Sequence, residues 1–475
     1  MALNERKREQ LTEFLGGLPT ATAVKLFAAI EADRAAGGEK LPHNDILTNL
    51  RKRLLERGAL LPSRRVDARR LFFTPFEDFF VGERQGRKHA GVIPRSSLAP
   101  IWRLMMRETA LSEAAFAAAS LDDAIKAGRD TGDLEKALFL ATEAGLGRVL
   151  DAAKVEPGAR AHITDMLRGD AAFADLQELH RLLAGVDHFK KLQKALPAGA
   201  GALSENDFYA LRSLFLAAHN QSPKLSAYLL LAVKGRLEKP WRALALYYHL
   251  SRSADDELDA ARDALAALPE ALFADLESLA RGLERDGAAP ERFDAQAGRL
   301  RVGWFADYAD GLSELATRAG DNVSLNRIDA CRDVAAEAFE RFCELALSAL
   351  RAATPLRRSS GSSFLMAQRP DYSAPPSPRA IDQAKEAARL ISSAKSYASR
   401  LGAAADVAAG IARESREKMA AFANDLIAEI RAAEGDERRA AERMLDHTLE
   451  IAEPLLDREN AGLIRDRAKA AAVAV

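Results

Sequence analysis

The strongest constraint on the fold is the regular spacing of apolar residues in one long segment, 324–352. The apolar positions advance in alternating steps of three and four residues: Ile328, Cys331, Ala335, Ala338, Phe342, Leu345 and Ala349. Such steps return to one face of an α-helix and form a seam of the coiled-coil type. The spacing therefore predicts one long helix, capped by Ser324 and ended by Thr354–Pro355.

Composition extends this prediction to the whole chain. Hydrophobic residues make up 48% and charged residues 29% of the 475 residues, which is ordinary for a folded chain of about two to four domains. Ala and Leu, both strong helix formers, supply much of the apolar share, and runs rich in Val, Ile and Thr are nearly absent. We therefore predict an all-α fold, a multi-helix bundle or an irregular helical array, with a C-terminal arm of long helices.

Changes in composition divide the chain into four segments. We predict a basic, aromatic-rich helical module over 1–110, a helical body over 111–353, a Ser/Pro/Gly-rich linker over 354–379 and an Ala-rich helical arm over 380–475. The arm has its own seam: Leu390, Ala394, Tyr397, Leu401, Ala404, Ala408 and Ile411. Because a seam rich in Ala buries little area, we expect the arm to pack against the body or against a second copy of the chain.

Charge is balanced overall but uneven along the chain. The formal net charge is −1, which by itself implies no polyanionic partner. Segment 51–107 nevertheless carries fourteen basic and five acidic residues, a net of +9. The next segment, 108–178, carries seven basic and fourteen acidic residues, a net of −7. The two adjacent segments therefore have opposite charges.

The basic segment also holds a dense aromatic cluster. Five of the 20 Phe lie within ten residues, and one of the three Trp follows: Phe72, Phe73, Phe76, Phe79, Phe80 and Trp102. One hypothesis is a face for nucleic acid, an acidic protein or a membrane surface. Its candidate residues are Arg64, Arg65, Arg69, Arg70, Arg87, Lys88, His89, Arg95 and Trp102. We favour the alternative, in which the Phe residues plug a helical bundle and the Arg residues lie in loops or pair with the acidic segment 108–178.

Two local patterns accompany this cluster. Ser96–Ser97 with Pro100 predicts the start of a helix that contains Trp102. Further along the chain, Trp241, Tyr247 and Tyr248 share a segment with Leu244, Leu246 and Leu250, and we predict that they pack in the core.

No motif for catalysis, metal binding or a cofactor stands out in the sequence. The eight His residues include no His-x-x-x-His or Glu-x-x-His pair on a predicted helix. The loop 82–88 has glycines and a lysine but lacks the Gly-Lys-Ser/Thr order that binds phosphate. Cys331 and Cys343 lie about 18 Å apart along one predicted helix, too far to form a disulfide.

The sequence therefore favours a non-enzymatic helical interaction or scaffold protein. A polyanion-binding protein that uses 51–107 is the first alternative, and an enzyme without a readable motif is the second. The expected partner is an unidentified protein or a second copy bound through the arm, with nucleic acid less favoured and no cofactor. The longest apolar run, 225–233, is half the length that a bilayer requires, so we expect a cytoplasmic chain without a membrane span.

Overall fold

The computed structural model of the chain describes residues 20–35, 66–82, 89–253, 256–358, 368–373, 375–402, 405–456 and 458–473. It also describes residues 11, 15, 42–43, 46–47, 49–50 and 54. Two compact units are present, one made of 1–71 with 121–130 and the other of 72–120 with 131–475. In the described part of the chain, 20 α-helices and two pairs of very short strands confirm the predicted all-α class.

The first ten helices run from Thr20 to Arg236. They are α1 (Thr20–Ala35), α2 (Ala68–Phe73), α3 (Arg95–Arg107), α4 (Ser112–Lys126), α5 (Gly132–Val155), α6 (Pro157–Leu167), α7 (Asp170–Leu183), α8 (Val186–Ala195), α9 (Glu205–Gln221) and α10 (Pro223–Arg236). Strands β1 (Phe80–Val81) and β2 (Ile93–Pro94) pair in parallel before α3. Turns of 3₁₀-helix occupy Thr74–Phe79 and Thr109–Leu111.

The other ten helices complete the array. They are α11 (Ala243–Ser251), α12 (Asp256–Ala260), α13 (Arg262–Gly287), α14 (Ala295–Ala319), α15 (Asn322–Ala353), α16 (Pro378–Ser392), α17 (Ala394–Leu401), α18 (Ala405–Ala432), α19 (Gly435–Ala452) and α20 (Arg458–Val473). Strands β3 (Leu356–Arg358) and β4 (Gln368–Pro370) pair antiparallel between α15 and α16. Further 3₁₀ turns occupy Pro240–Arg242 and Pro290–Arg292.

The smaller unit has an apolar core of its own. Its buried residues are Leu15, Ala23, Phe27, Ile30, Ile46, Leu47, Leu50 and Leu54. A hydrogen bond of 2.7 Å from the backbone N–H of Ala68 to the carboxylate of Asp122 joins the two stretches of this unit. This unit is therefore stabilised by its own hydrophobic cluster and by at least one link between distant parts of the chain.

The larger unit is organised around α15, the helix that the apolar spacing predicts. The helix spans Asn322–Ala353, against the predicted 324–352, and five of the seven seam positions are buried. It packs against α13, α14 and α16. The predicted cap at Ser324 is wrong, because Asp321 is the N-cap and its carboxylate accepts hydrogen bonds from the backbone N–H and the hydroxyl of Ser324. Burial raises the pKa of Cys331 to about 11 and that of Cys343 to about 12.

The first helix of the predicted arm packs within the same chain. The buried face of α16 consists of Ile381, Ala384, Ala387, Ala388, Leu390 and Ile391. This face contacts α15, and α16 also packs against α14 and α19. The α-helix breaks at Ser393, within the predicted arm seam, and again at Gly402, whose φ is +82°. Ala404 and the side chain of Ala408 lie outside the described residues, and self-association through the arm stays a prediction.

Both ends of the predicted linker 354–379 take part in ordered contacts, and residues 359–367 and 374 lie outside the described part. The antiparallel register places Arg358 opposite Gln368. Glu429, on α18, accepts hydrogen bonds from Arg357, Arg369 and Tyr372 at 3.1–3.3 Å. The carboxylate of Glu429 is only 13% exposed, so one nearly buried acid fastens the strand pair to the helices.

The apolar helices of this chain are short or interrupted by charge. None of the helices among the described residues is both long and apolar enough to cross a bilayer. The longest, α15, carries charged residues throughout its length, for example Arg327, Arg332 and Glu344. Its apolar surface is one stripe, which suits packing against other helices.

Candidate interaction groove

The predicted binding face of the basic segment is only partly described. Arg64, Arg65, Arg87 and Lys88 lie outside the described residues. Arg69 and Arg70 are exposed on α2 in the smaller unit, whereas His89 and Arg95 are exposed and Trp102 is half-buried in the larger unit. The carboxylate of Glu77 binds the guanidinium of Arg95, which lies 6.0 Å from the ring of Phe80. The anion-binding hypothesis for this set stays a prediction.

The Phe residues of the same segment form a closed core. Phe72, Phe76 and Phe79 are at most 1% exposed. Their rings lie 5.4 Å from Phe139 on α5, 6.2 Å from Phe189 on α8 and 6.2 Å from Tyr228 on α10, respectively. Trp102 packs 5.8 Å from Phe72. The core-packing alternative for these residues therefore agrees with their burial.

A buried ion pair fixes the 3₁₀ turn that carries Phe76 and Phe79. Nη1 of Arg236 donates to both carboxylate oxygens of Asp78, at 2.9 and 3.0 Å, and the two side chains are 8% and 6% exposed. Nε of Arg236 donates to the carbonyl of Leu196, and the amide of Gln193 donates to the carbonyls of the turn at 3.0 and 3.2 Å. Burial raises the pKa of Asp78, although Arg236 acts in the opposite direction.

Two acids of α7 hold the chain that leads into α3. The hydroxyl of Ser97 donates to Asp175 at 2.7 Å, and the backbone N–H of Gly91 donates to Glu178 at 2.6 Å. Gly91 has φ +72°, and a Cβ at this position would lie 2.8 Å from a methyl group of Leu231, so only glycine fits. Burial, with the negative charge of Glu178, raises the pKa of Tyr228 to about 12. Polar groups here are therefore satisfied within the fold.

A different arrangement of aromatic and basic residues lies between α9, α11 and α14. Two pockets of about 770 and 470 Å³ share Phe208, Ala245, Leu315 and Arg318, and together they form one open groove. We call this surface the α14 groove. Its floor comes from the face of α14 that holds Asp307, Gly311 and Leu315.

Hydrogen bonds at the helix ends hold the walls of the α14 groove in place. A capping box between Ser204 and Asp207 begins α9. The phenol of Tyr248 on α11 donates to Asp321 at 3.0 Å, and Arg252 donates to the carbonyl of Ala319 at 2.7 Å. Burial, followed by the bond to Asp321, raises the pKa of Tyr248. The phenol thus remains a donor, and α11 stays fastened to the end of α14.

Aromatic rings line both ends of the groove. The imidazole of His249 stacks on Phe208 at 4.7 Å, with Tyr209 beside it at 6.5 Å. At the other end, Trp241 is buried and its ring lies 5.4 Å from Trp304. Tyr209, in the lining of one pocket, is 63% exposed. Trp304 contacts Trp241 from outside the two pocket linings and is 41% exposed.

Position 311 of α14 has no room for a side chain, and glycine occupies it. A Cβ on this residue would collide with the five-membered ring of the Trp241 indole. Glycine therefore lets the ring of Trp241 lie deep in the groove floor, and Trp304 then rests on its edge.

Positive charge exceeds negative charge along the described lining. Six basic side chains line the two pockets: Arg212, Lys239, Arg242, Arg252, Arg318 and Arg400. Three acidic side chains do so: Asp307, Asp310 and Glu314. Arg400 bridges Asp307 and Asp310 at 2.5 and 2.6 Å, and Arg318 binds Glu314 at 2.5 Å. The acids of the groove are therefore already engaged by cations of the same chain.

Three other basic side chains of the lining do not bind a described carboxylate. Among the described residues, Lys239, Arg242 and Arg252 have no carboxylate within ion-pair distance. Lys239 instead lies 5.7 Å from the ring of Trp241, and Arg252 lies 5.9 Å from that of Tyr248. Two of the three cations therefore interact with aromatic rings, and neither pairs with a carboxylate among the described residues.

The lining of the groove is rich in rings and cations. In the described ranges, no group of three or more His, Cys, Asp or Glu side chains is placed to hold a metal ion. The groove instead combines rings, cations and an open shape, which are the properties of a recognition surface.

Sequence reasoning did not find the groove, because its parts lie far apart in the chain. Arg212 lies on α9, Arg252 directly follows α11 and Arg318 lies on α14, and no fixed spacing connects them. The only sequence signal was the cluster of Trp241, Tyr247 and Tyr248, which we assigned to the core. Trp241 is buried as predicted, but Tyr247 and Tyr248 are half-buried, and Tyr248 lines the groove. No protein family matches the chain, and no curated protein or solved structure proves similar to it.

Proposed function

We propose that this chain is a non-enzymatic helical interaction protein that binds a segment of a partner protein in the α14 groove. The observation that carries the proposal is the exposure of Tyr209 and Trp304 beside the arginines of the groove. Trp, Tyr and Arg contribute most of the binding energy in protein interfaces, whereas monomeric surfaces rarely expose several of them together.

The extent of the surface favours a protein segment over a small ligand. Leu300 is 58% exposed and lies one helical turn before Trp304 on the same face of α14. Exposed apolar surface therefore continues along α14 beyond the two pockets. A small ligand would fill one pocket, whereas an extended or helical segment covers the whole row.

The proposal includes a cytoplasmic location. Its support is the Cys content of two residues, far below that of disulfide-stabilised secreted domains. Polyanion binding through 51–107 remains the second proposal, and the net charge of +9 on that segment supports it.

Site-specific photo-crosslinking tests the proposed function. Benzoylphenylalanine replaces Tyr209 in one variant and Phe116 in another, where Phe116 is a matched control because it is 76% exposed on α4, away from the groove. We expect a discrete adduct at position 209 in cells and none at position 116. In the Tyr209 variant, the additional change Trp304→Ala should reduce the adduct, because it removes the anchor at the other end.

Site selectivity, and not the capture of a protein alone, is the supporting result. An identical adduct at positions 116 and 209 would show general stickiness of exposed rings and would contradict the proposal. So would the absence of any adduct at position 209, or an adduct that Trp304→Ala leaves unchanged.

A further inference from the structure

We infer that the partner segment is acidic and that it carries an aromatic or large apolar side chain next to its carboxylates. This inference rests on the proposed function and adds the chemistry of the partner. Two features of the α14 groove support it: the distribution of its charges and the placement of its rings.

The charges favour carboxylates in the bound segment. The described lining carries six basic against three acidic side chains, and Arg400 and Arg318 already bind all three acids. Lys239, Arg242 and Arg252 are left without a carboxylate among the described residues. A basic segment would meet these cations as like charges, whereas an acidic segment would complete their pairing.

The rings favour an apolar side chain between the carboxylates. Arg252 and Arg318 both line the pocket that contains the stacked rings of Phe208 and His249. Lys239 and Arg242 line the adjoining pocket together with Trp241. In each pocket, cations and rings therefore stand side by side. An apolar side chain that packs on the rings brings a neighbouring carboxylate within reach of the guanidinium groups.

The same charges argue against a polynucleotide as the favoured occupant. A nucleic acid carries regularly spaced phosphates, and the carboxylates of Asp307 and Asp310 line the same pocket as the cations Lys239 and Arg242. An acidic peptide can place an uncharged residue at that point. The mixed floor of the groove therefore selects a segment with patterned charge, and the test includes the other class of ligand.

The test uses the full chain and synthetic peptides. One short peptide contains Glu, Asp, Phe and Leu, and its charge-reversed counterpart contains Lys in place of every acid. Binding is followed by fluorescence anisotropy at low salt and at about 0.15 M salt. It is followed independently by the tryptophan emission, because two of the three Trp, Trp241 and Trp304, belong to the groove region.

A charge-matched pair of variants makes the result specific. Lys239→Glu with Arg318→Glu reverses two cations of the groove, and Lys154→Glu with Arg439→Glu reverses two exposed cations elsewhere. We expect the groove variant to bind the acidic peptide about tenfold more weakly than the control variant. The groove variant should also bind the Lys peptide more tightly than the unchanged chain does, since the combined lining of the two pockets then has five acidic against four basic side chains.

The peptide measurements test the acidic chemistry of the partner, and the crosslink tests the interaction role. Equal affinity of the two variants for the acidic peptide would overturn the inference, and so would a single-stranded DNA oligonucleotide that competes better than the peptide. A crosslink at position 209 together with insensitive peptide binding would refute only the acidic chemistry. The absence of the crosslink would refute the interaction role itself.

Discussion

The Phe-rich segment, residues 72–80, and the α14 groove both combine aromatic rings with nearby cations. The rings of the segment are buried, whereas some of the groove's rings are exposed. In the Phe-rich segment, rings contact rings on every side, and the cation Arg236 meets the buried carboxylate of Asp78. In the groove, Tyr209 and Trp304 present their rings to solvent, and Lys239 lies over a ring instead of an acid.

The difference shows that composition does not decide whether a basic and aromatic region is a core or a surface. What decides it is the supply of partners from other helices. The 3₁₀ turn receives Gln193 from α8 and Arg236 from α10, so its polar groups are satisfied within the fold. The groove has α14 as a floor and leaves the rings of Tyr209 and Trp304 exposed, which is why we propose it as the binding surface.

The largest difference between the two regions is expected in the free energy of unfolding when an aromatic ring is removed. Phe76→Ala leaves a cavity where the side chain was fully buried against Phe72, Phe139 and Phe189. We expect the free energy of unfolding to fall by about 3–5 kcal/mol, measured by guanidinium denaturation. Tyr209→Ala in the groove should change it by less than about 0.5 kcal/mol. Equal losses for the two variants would mean that the groove is part of the core.

The next largest difference in unfolding free energy is expected when one charge of an ion pair is removed. Asp78→Asn removes the charge that compensates Arg236, and we expect a loss of about 3 kcal/mol. In the groove, Glu314→Gln affects a pair whose side chains are 62% and 73% exposed, so a loss of at most about 0.5 kcal/mol is expected. Chemical denaturation of both variants measures the contrast. A loss below about 1 kcal/mol for Asp78→Asn would show that Arg236 finds solvent or another partner.

The pH dependence of stability gives a subtler comparison. Burial raises the pKa of Tyr228 from its ordinary value of 10 to about 12. A group whose pKa is higher in the folded state stabilises the fold fully below pH 10, and this contribution is lost as the pH rises towards 12. In Tyr228→Phe, the decline of unfolding free energy over that range should therefore be shallower. Burial also raises the pKa of Tyr248, so Tyr248→Phe should act with the same sign. A steeper decline in either variant would contradict the direction of the shift.

The smallest effect on peptide affinity is expected from the basic segment 51–107, which the sequence suggested as a binding face. If the groove carries recognition, Arg87→Ala with Lys88→Ala should change the affinity for the acidic peptide by less than about twofold. Affinity for nucleic acid, measured over a range of salt concentrations, tests the second proposal directly. A uniform loss of nucleic-acid affinity in this variant, with a reduced salt slope, would favour the basic segment over the groove.

The parts of the fold that depend on local spacing could be predicted from the sequence. The seam from Ile328 to Ala349 predicts α15 to within two residues at either end. The cap could not be placed as well, because Asp321 and Ser324 are both good capping residues and the carboxylate three residues upstream binds Ser324 itself. The spacing of apolar residues identifies a helix, but it does not decide which of two nearby polar residues is the N-cap.

Long-range partners are the reason why the rest could not be predicted. Ser97 was expected near the start of a helix, and α3 indeed begins at Arg95, with Pro100 inside it. Its hydroxyl, however, binds Asp175, 78 residues away in the chain. The α14 groove depends in the same way on Arg212, Tyr248 and Arg318, which only the tertiary packing brings together.

The strand pair β3–β4 gives this chain a site that can accept additional sequence. Its two strands hold Arg358 and Gln368 side by side, and Glu429 fastens both strands to α18. When the ends of a connection are fixed in this way, doubling its length adds only about 0.6 kcal/mol of closure entropy. A fluorescent domain inserted between these strands would thus be carried at a defined point on the helical array.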